Sequence, residues 1–131
     1  MTSAVANAVL DASAALADLH HEPGGDVARA AAPTSVMSAV NFAEVVSQMI
    51  LHGVPPQEAE TLTYQLRFEV LDVDQRAASV AGAIHARTRR WGASLADAFC
   101  LALAQDLGVP ALTTDRVWAT LGLDVDVRLI R

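Results

Sequence analysis

The stretch SLADAFCLALAQDLGVPALTTD, from Ser94 to Asp115, has a carboxylate near its start and another at its end, with an apolar segment between. Asp97 and Asp115 therefore border a core, where a carboxylate is costly unless paired or hydrogen-bonded. Two more acids stand in similar settings: Asp11 closes the apolar run AVANAVLDA, and Glu44 lies in NFAEVV. Each has a local reading. Asp11 can cap a helix starting at Ala12, and Asp115 can cap RVWATLG. Ser94 with Asp97, and Asn41 with Glu44, have capping-box spacing. Caps, however, need not converge on one point, and several carboxylates at one edge raise one another's pKa values. A hard divalent cation removes that penalty. Mg²⁺ or Mn²⁺ takes oxygen ligands in octahedral geometry and keeps several waters. Such an ion polarises a phosphodiester oxygen and lowers the pKa of a bound water, while the carboxylates hold the metal and orient the water for in-line attack. No nucleophilic side chain is required, and no Ser–His–Asp or Cys–His arrangement is evident.

The elements that must position these acids alternate along the chain. AVANAVLDA reads as a buried strand, SAALADLHH as a helix, EPGGD as a turn and DVARAAA as a short helix. TSVMS is a second strand. NFAEVVSQMILHG is an amphipathic helix closed by Gly53, with Glu44 in its first turn. Pro55 and Pro56 open the helix PQEAETLTYQLR, and FEVLDV is a third strand. DQRAASVAGAIHARTRRWG is a long helix ending in arginines and Gly92. SLADAFCLALAQDLG is a helix, VPALTT a strand, DRVWATLG a short helix and VDVRLI a last strand. Strands alternating with helices predict an α/β sandwich with a mostly parallel central sheet. Ligand sites in such sheets lie beyond the carboxyl ends of the strands. With no repeat or linker in 131 residues, the chain reads as a single domain.

Composition narrows the function. The net charge is −6, so bulk attraction gives no support to nucleic-acid binding. All nine basic residues are arginine, which removes the Walker A motif and Schiff-base chemistry. Any grip on phosphate must use arginine. The candidate is RTRRW, with Arg87, Arg89, Arg90 and Trp91: arginine holds phosphate bidentately, and tryptophan stacks on an unpaired base. Arg116, beside Asp115, is a second candidate. The plainer reading of RTRRW is a solvated helix end with cations that suit the helix dipole. Cys100, the one cysteine, reads as a small buried hydrophobe, and Trp118 as a core anchor. No His pairs with another His or Cys at zinc spacing. No apolar run is long enough for a membrane span, and MTSAVANAVLDASAAL lacks the basic region of a signal peptide; the expected location is cytoplasmic. Some of Phe42, Met49, Ile50, Leu51, Leu62, Tyr64 and Leu66 must face the sheet, and any surplus would form a dimer face or a groove for a partner.

AVLDASAALADL, then NFAEVV, then SLADAFCLALAQDLGVPALTTDRVW resemble, in order and spacing, the PIN domain and within it the VapC-type toxins of bacterial toxin–antitoxin pairs. The resemblance covers essentially residues 1–131 and is most specific in its last block. It implies a PIN-like three-layer α/β/α sandwich and a Mg²⁺- or Mn²⁺-dependent endoribonuclease. It maps the acidic positions onto Asp11, Glu44, Asp97 and Asp115, and supporting polar positions onto Ser13 and Thr113. It further implies an RNA substrate, often tRNA or ribosomal RNA, with arrest of translation. The implied assembly is a homodimer held by a small VapB-type antitoxin in a heterotetramer or larger. A response-regulator receiver also gathers carboxylates around Mg²⁺ but needs a lysine. Haloacid-dehalogenase-like phosphatases need Asp-x-Asp where this chain has DAS. The remaining alternative is a PIN-like module that binds RNA or a partner without cutting.

Overall fold

The computed structural model describes residues 6–131. Ala4 and Val5, the start of the first expected strand, lie outside the described residues. Five short strands form one sheet: β1 (Ala8–Leu10), β2 (Ser35–Ser38), β3 (Glu69–Leu71), β4 (Ala111–Thr113) and β5 (Val127–Leu129). Every pairing is parallel, and the order is β3-β2-β1-β4-β5. The expected sheet, mostly parallel, is thus wholly so. The strand order reverses at β1, which pairs with β2 on one side and β4 on the other. That places the ends of β1 and β4, and so Asp11 and Asp115, side by side at the switch point where such sheets bind ligands.

The helices are α1 (Ala12–Leu19), α2 (Gly25–Ala31), α3 (Ala39–Leu51), α4 (Pro56–Tyr64), α5 (Gln75–Thr88) and α6 (Leu95–Leu107). They cover both faces. Along the strands the side chains alternate, as the two-residue period of a strand requires. Leu10, Met37 and Leu112 join one apolar core with α1 to α4, while Val9, Val36 and Ala111 join a second with α5, α6 and Trp118. Trp118 is buried, as expected of a core anchor, and so is Cys100.

Two local readings change. Residues Arg89–Trp91 and Arg116–Thr120 are 3-10 turns rather than α-helix. In the first, the chain tightens before Gly92, whose φ of 90° reverses it toward α6. In the second, Asp115 caps a five-residue 3-10 turn that ends at Leu121.

Gly25 fixes the closest approach of α1 and α2. A Cβ there would fall 2.5 Å from the Ala17 carbonyl oxygen and 2.7 Å from the Asp18 Cα, both backbone atoms that cannot swing aside. The Arg29 Nε–Asp18 Oδ1 bond of 2.9 Å ties the same two helices. Gly25→Ala is expected to cost about 2 kcal/mol, in the range of overpacked cores. Urea unfolding checks this, and an unchanged midpoint would show that the helices can part freely.

Candidate active site

Asp11 follows β1 directly and caps α1, with Oδ1 accepting from the Ala14 N–H at 2.9 Å. Ser13 Oγ donates to both carboxylate oxygens, at 2.7 and 2.9 Å, and Thr113 Oγ1 donates to Oδ2 at 2.7 Å. The two hydroxyls are themselves held from the end of β4: Ser13 Oγ accepts from the Thr114 N–H and Thr113 Oγ1 from the Asp115 N–H, each at 3.0 Å. One hydrogen-bond circuit thus crosses the switch point. Asp11 is only 4% exposed. Burial pushes its carboxyl up to about 6; the bonds from Ser13, Thr113 and Ala14 oppose that rise, and the charge of Asp97 adds to it.

Asp97 sits in the first turn of α6 and makes the expected capping box. Ser94 N–H donates to its Oδ2 at 2.9 Å, and its own N–H donates to Ser94 Oγ at 3.0 Å. Burial is the main cause that raises its pKa; Ser94 opposes this, and the charge of Asp115 adds to it. The Trp118 indole N–H has no hydrogen-bond partner of its own, yet it lies near enough to Asp97 to favour the charged form. Asp115 caps the 3-10 turn, its Oδ1 accepting from the Val117 N–H at 3.0 Å.

Glu44 corrects the sequence reading twice. Helix α3 begins at Ala39 with Ser38 as its cap, so Glu44 lies in the second turn, not the first. Asn41 is accordingly not a cap. It is fully buried inside the helix, and its Nδ2 donates to Glu44 Oε1 at 3.0 Å and to the Ala96 carbonyl at 2.9 Å. It brackets α3 against the first turn of α6 and fixes Glu44 across from Asp97. Burial raises the pKa of Glu44; Asn41 opposes this, and the charge of Asp97 adds to it.

Asp11, Glu44, Asp97 and Asp115 all line one cleft of about 380 Å³, together with Ser13 and Thr114. Gln48 reaches the same cleft from the next turn of α3. Sequence reading passed it over, although its spacing of four from Glu44 puts both on one helix face. The thiol of Cys100 is pushed well above its ordinary range, first by burial and then by the charges of Asp11, Asp97 and Glu44, so the cluster's field reaches into the core beneath it.

Among the described residues, no three His, Cys, Asp or Glu side chains close into a ready-made metal cage. The donor set still fits a hard cation. It is all oxygen, neighbouring carboxylate charges add to the raised pKa values of Asp11, Glu44 and Asp97, and Mg²⁺ characteristically uses one or two carboxylates and keeps its waters. Arg87, Arg89, Arg90, Trp91 and Arg116 are exposed and do not line this cleft. Arg87, Arg90 and Trp91 line another, together with Leu121.

The fold is that of known toxin structures. The DNA-bound VapBC of Salmonella typhimurium is 17% identical, with 97% of this chain and 100% of that one covered, at a TM-score of 0.75. A toxin–antitoxin complex from Klebsiella pneumoniae is 21% identical over 95% and 98%, at 0.68. The sarcin-ricin loop cleaving toxin VapC20 of Mycobacterium tuberculosis is 17% identical over 91% and 98%, at 0.71. No curated protein matches the sequence. The sequence pattern of the PIN domain matches residues 8–122. With that match spanning most of the chain, and with its all-parallel sheet and paired helix layers, this protein belongs to the PIN-domain family.

Proposed function

We propose that the chain, residues 1–131 as one domain, is a VapC-like endoribonuclease that uses Mg²⁺ or Mn²⁺ and is neutralised by a VapB-type antitoxin. The observation that carries this reading is the convergence of four carboxylates from four separate segments on one cleft. Caps alone need no such meeting point. Asp11, Glu44, Asp97 and Asp115 would hold the metal, which when bound supplies an activated water and a Lewis acid for the phosphodiester. The chain's own part is positioning. Asp11 is locked by two hydroxyls and a backbone N–H. Glu44 is held on one oxygen by Asn41, which leaves Oε2 free to orient water. The N-terminal ends of α1 and α6 face the same region and favour negative charge there.

The substrate proposed is structured RNA, tRNA or ribosomal RNA, in line with the loop cleavage named for one similar structure. No helix among the described residues is long and apolar enough to cross a membrane, and the proposed setting is the cytoplasm. The proposed antitoxin site is the apolar groove between α3 and α4, lined by Phe42, Val46, Ile50 and Leu51. Helix α3 carries that groove on one face and Glu44 and Gln48 on the next, so a peptide in the groove lies beside the acidic cleft. Homodimerisation is part of the same reading.

Cleavage tests it. Total tRNA and ribosomal RNA incubated with the protein and Mg²⁺ or Mn²⁺ are expected to yield discrete fragments. EDTA or Asp97→Asn, which keeps the capping acceptor but removes the charge, should abolish them. Folded protein that binds a divalent cation and RNA but leaves every RNA intact would establish the non-catalytic module instead.

A further inference from the structure

Six of the nine arginines have no ion pair among the described residues; Arg29, Arg128 and Arg131 supply the pairs that exist. Three of the six, Arg87, Arg89 and Arg90, crowd the last turn of α5 and the 3-10 turn that follows. In a chain of net charge −6, carboxylates are plentiful, yet among the described residues none forms an ion pair with this cluster. Like charges held together without a counter-charge are a standing cost that an anionic ligand removes.

The cluster also has shape. Arg87, Arg90, Trp91 and Leu121 line a cleft of about 420 Å³. The Arg90 guanidinium lies 4.0 Å over the Trp91 ring and holds the indole, and Trp91 is 48% exposed. Leu121 is buried and supplies an apolar floor. A flat aromatic wall, an apolar floor and guanidinium donors at the rim match a nucleobase with its phosphate. The base stacks on the ring while the arginines take the phosphate oxygens. A bare phosphate or an acidic peptide would use the arginines and leave the aromatic slot empty.

Its position follows from the chain. Trp91 is three residues before Ser94, which caps the helix turn that carries Asp97. Leu121 closes the 3-10 turn that Asp115 opens. The two walls of the cleft therefore continue the two segments that bring Asp97 and Asp115 to the acidic site. We propose that this cleft binds an unpaired nucleobase next to the bond to be cut, so that the chain selects RNA that is single-stranded there. The proposal rests on the RNA reading above and deepens it.

Binding without cleavage separates the two. Fluorescence anisotropy in EDTA would compare a fluorescein-labelled single-stranded RNA of mixed sequence with the same RNA in a duplex. Wild type is expected to prefer the single strand. Trp91→Ala should weaken single-strand binding by about tenfold or more, as loss of one stacked base does, with little change in salt dependence. Trp91→Phe should retain most of the binding. Arg87→Ala with Arg90→Ala should flatten the salt slope by roughly 0.7 for each phosphate left without its arginine. Arg76→Ala, at the far end of α5, serves as the control and should bind as wild type does. Wild-type binding by Trp91→Ala, or equal affinity for duplex and single strand, overturns the pocket, and cleavage by wild type would still uphold the nuclease. A binding loss on Trp91→Ala in a protein that cuts nothing upholds the pocket and overturns the nuclease.

Discussion

Asp11→Asn is expected to eliminate cleavage and, in metal-free buffer at neutral pH, to make the protein more stable than wild type. The folded carboxyl titrates at about 6 against an ordinary 3.8. Folding therefore favours its protonated form. Stability from this group is fully present below about 3.8 and is lost as pH rises through about 6. Above that, the buried charge destabilises the metal-free fold by about 3 kcal/mol. Asparagine has the same shape, carries no charge and caps a helix as well as aspartate does. Its Oδ1 can keep the Ala14 N–H, and the Ser13 and Thr113 hydroxyls can rotate to accept from its Nδ2. Thermal melts in EDTA should show the variant and wild type close at acid pH, with the variant higher by several degrees at pH 7.5. Added Mn²⁺ should raise wild type and leave the variant unmoved. The rate should fall by about a thousandfold or more, equivalent to about 4 kcal/mol of transition-state stabilisation. A variant that still cuts shows that Asp11 is a helix cap and not a metal ligand, and one that melts below wild type at pH 7.5 in EDTA shows that the buried carboxylate does not destabilise the metal-free fold.

Thr113→Val should have the next largest effect, because one buried hydroxyl serves two corners of the site. Thr113 Oγ1 donates to Asp11 Oδ2 at 2.7 Å and accepts from the Asp115 N–H at 3.0 Å. Valine fills the same volume but does neither. Asp11 then loses one of the bonds that hold its pKa down, and its titration moves further up. The Asp115 N–H loses its acceptor, at a cost of about 1–3 kcal/mol if it stays dry. Activity near neutral pH should drop about 10- to 100-fold, the usual loss when a group supporting a metal ligand is removed. The informative readout is the pH profile. The acid limb of the rate should shift to higher pH, and part of the loss should return in alkaline buffer. Thr113→Ser should restore both. A lower melting temperature with an unmoved acid limb would make Thr113 a packing residue only.

The sequence exposed the local parts of this site far better than their meeting. The strand–Asp11–helix unit, the Ser94–Asp97 box and the strand ending at Thr113 depend on neighbours in the chain, so pattern and spacing reveal them. Asn41 misled because Asn-x-x-Glu mimics a cap. The true cap, Ser38, is also the last residue of β2, and the strand passes into the helix without a loop to mark the change. Nothing local says that the amide of Asn41 reaches across 55 residues to the Ala96 carbonyl. Convergence of the four acids depends on β1 lying between β2 and β4. That order is a property of the whole sheet: the residues place the acids at junctions able to share one sheet edge, and the strand order itself is not legible in the sequence. Gln48 escaped because an exposed amide beside an apolar stripe carries no signal until the cleft is seen.

Asp11, Asp97 and Asp115 each give an oxygen to a backbone N–H at the start of a helical segment, and asparagine can do the same. This double duty bears on how such a chain evolves. A codon change from Asp to Asn at any of the three is expected to leave the fold intact. Under the proposed function, cells harmed by the cleavage would shed it by point substitution, without truncating or misfolding the chain. On that same proposal, the silenced protein would persist intact and still occupy its antitoxin, with the activity one reversion away.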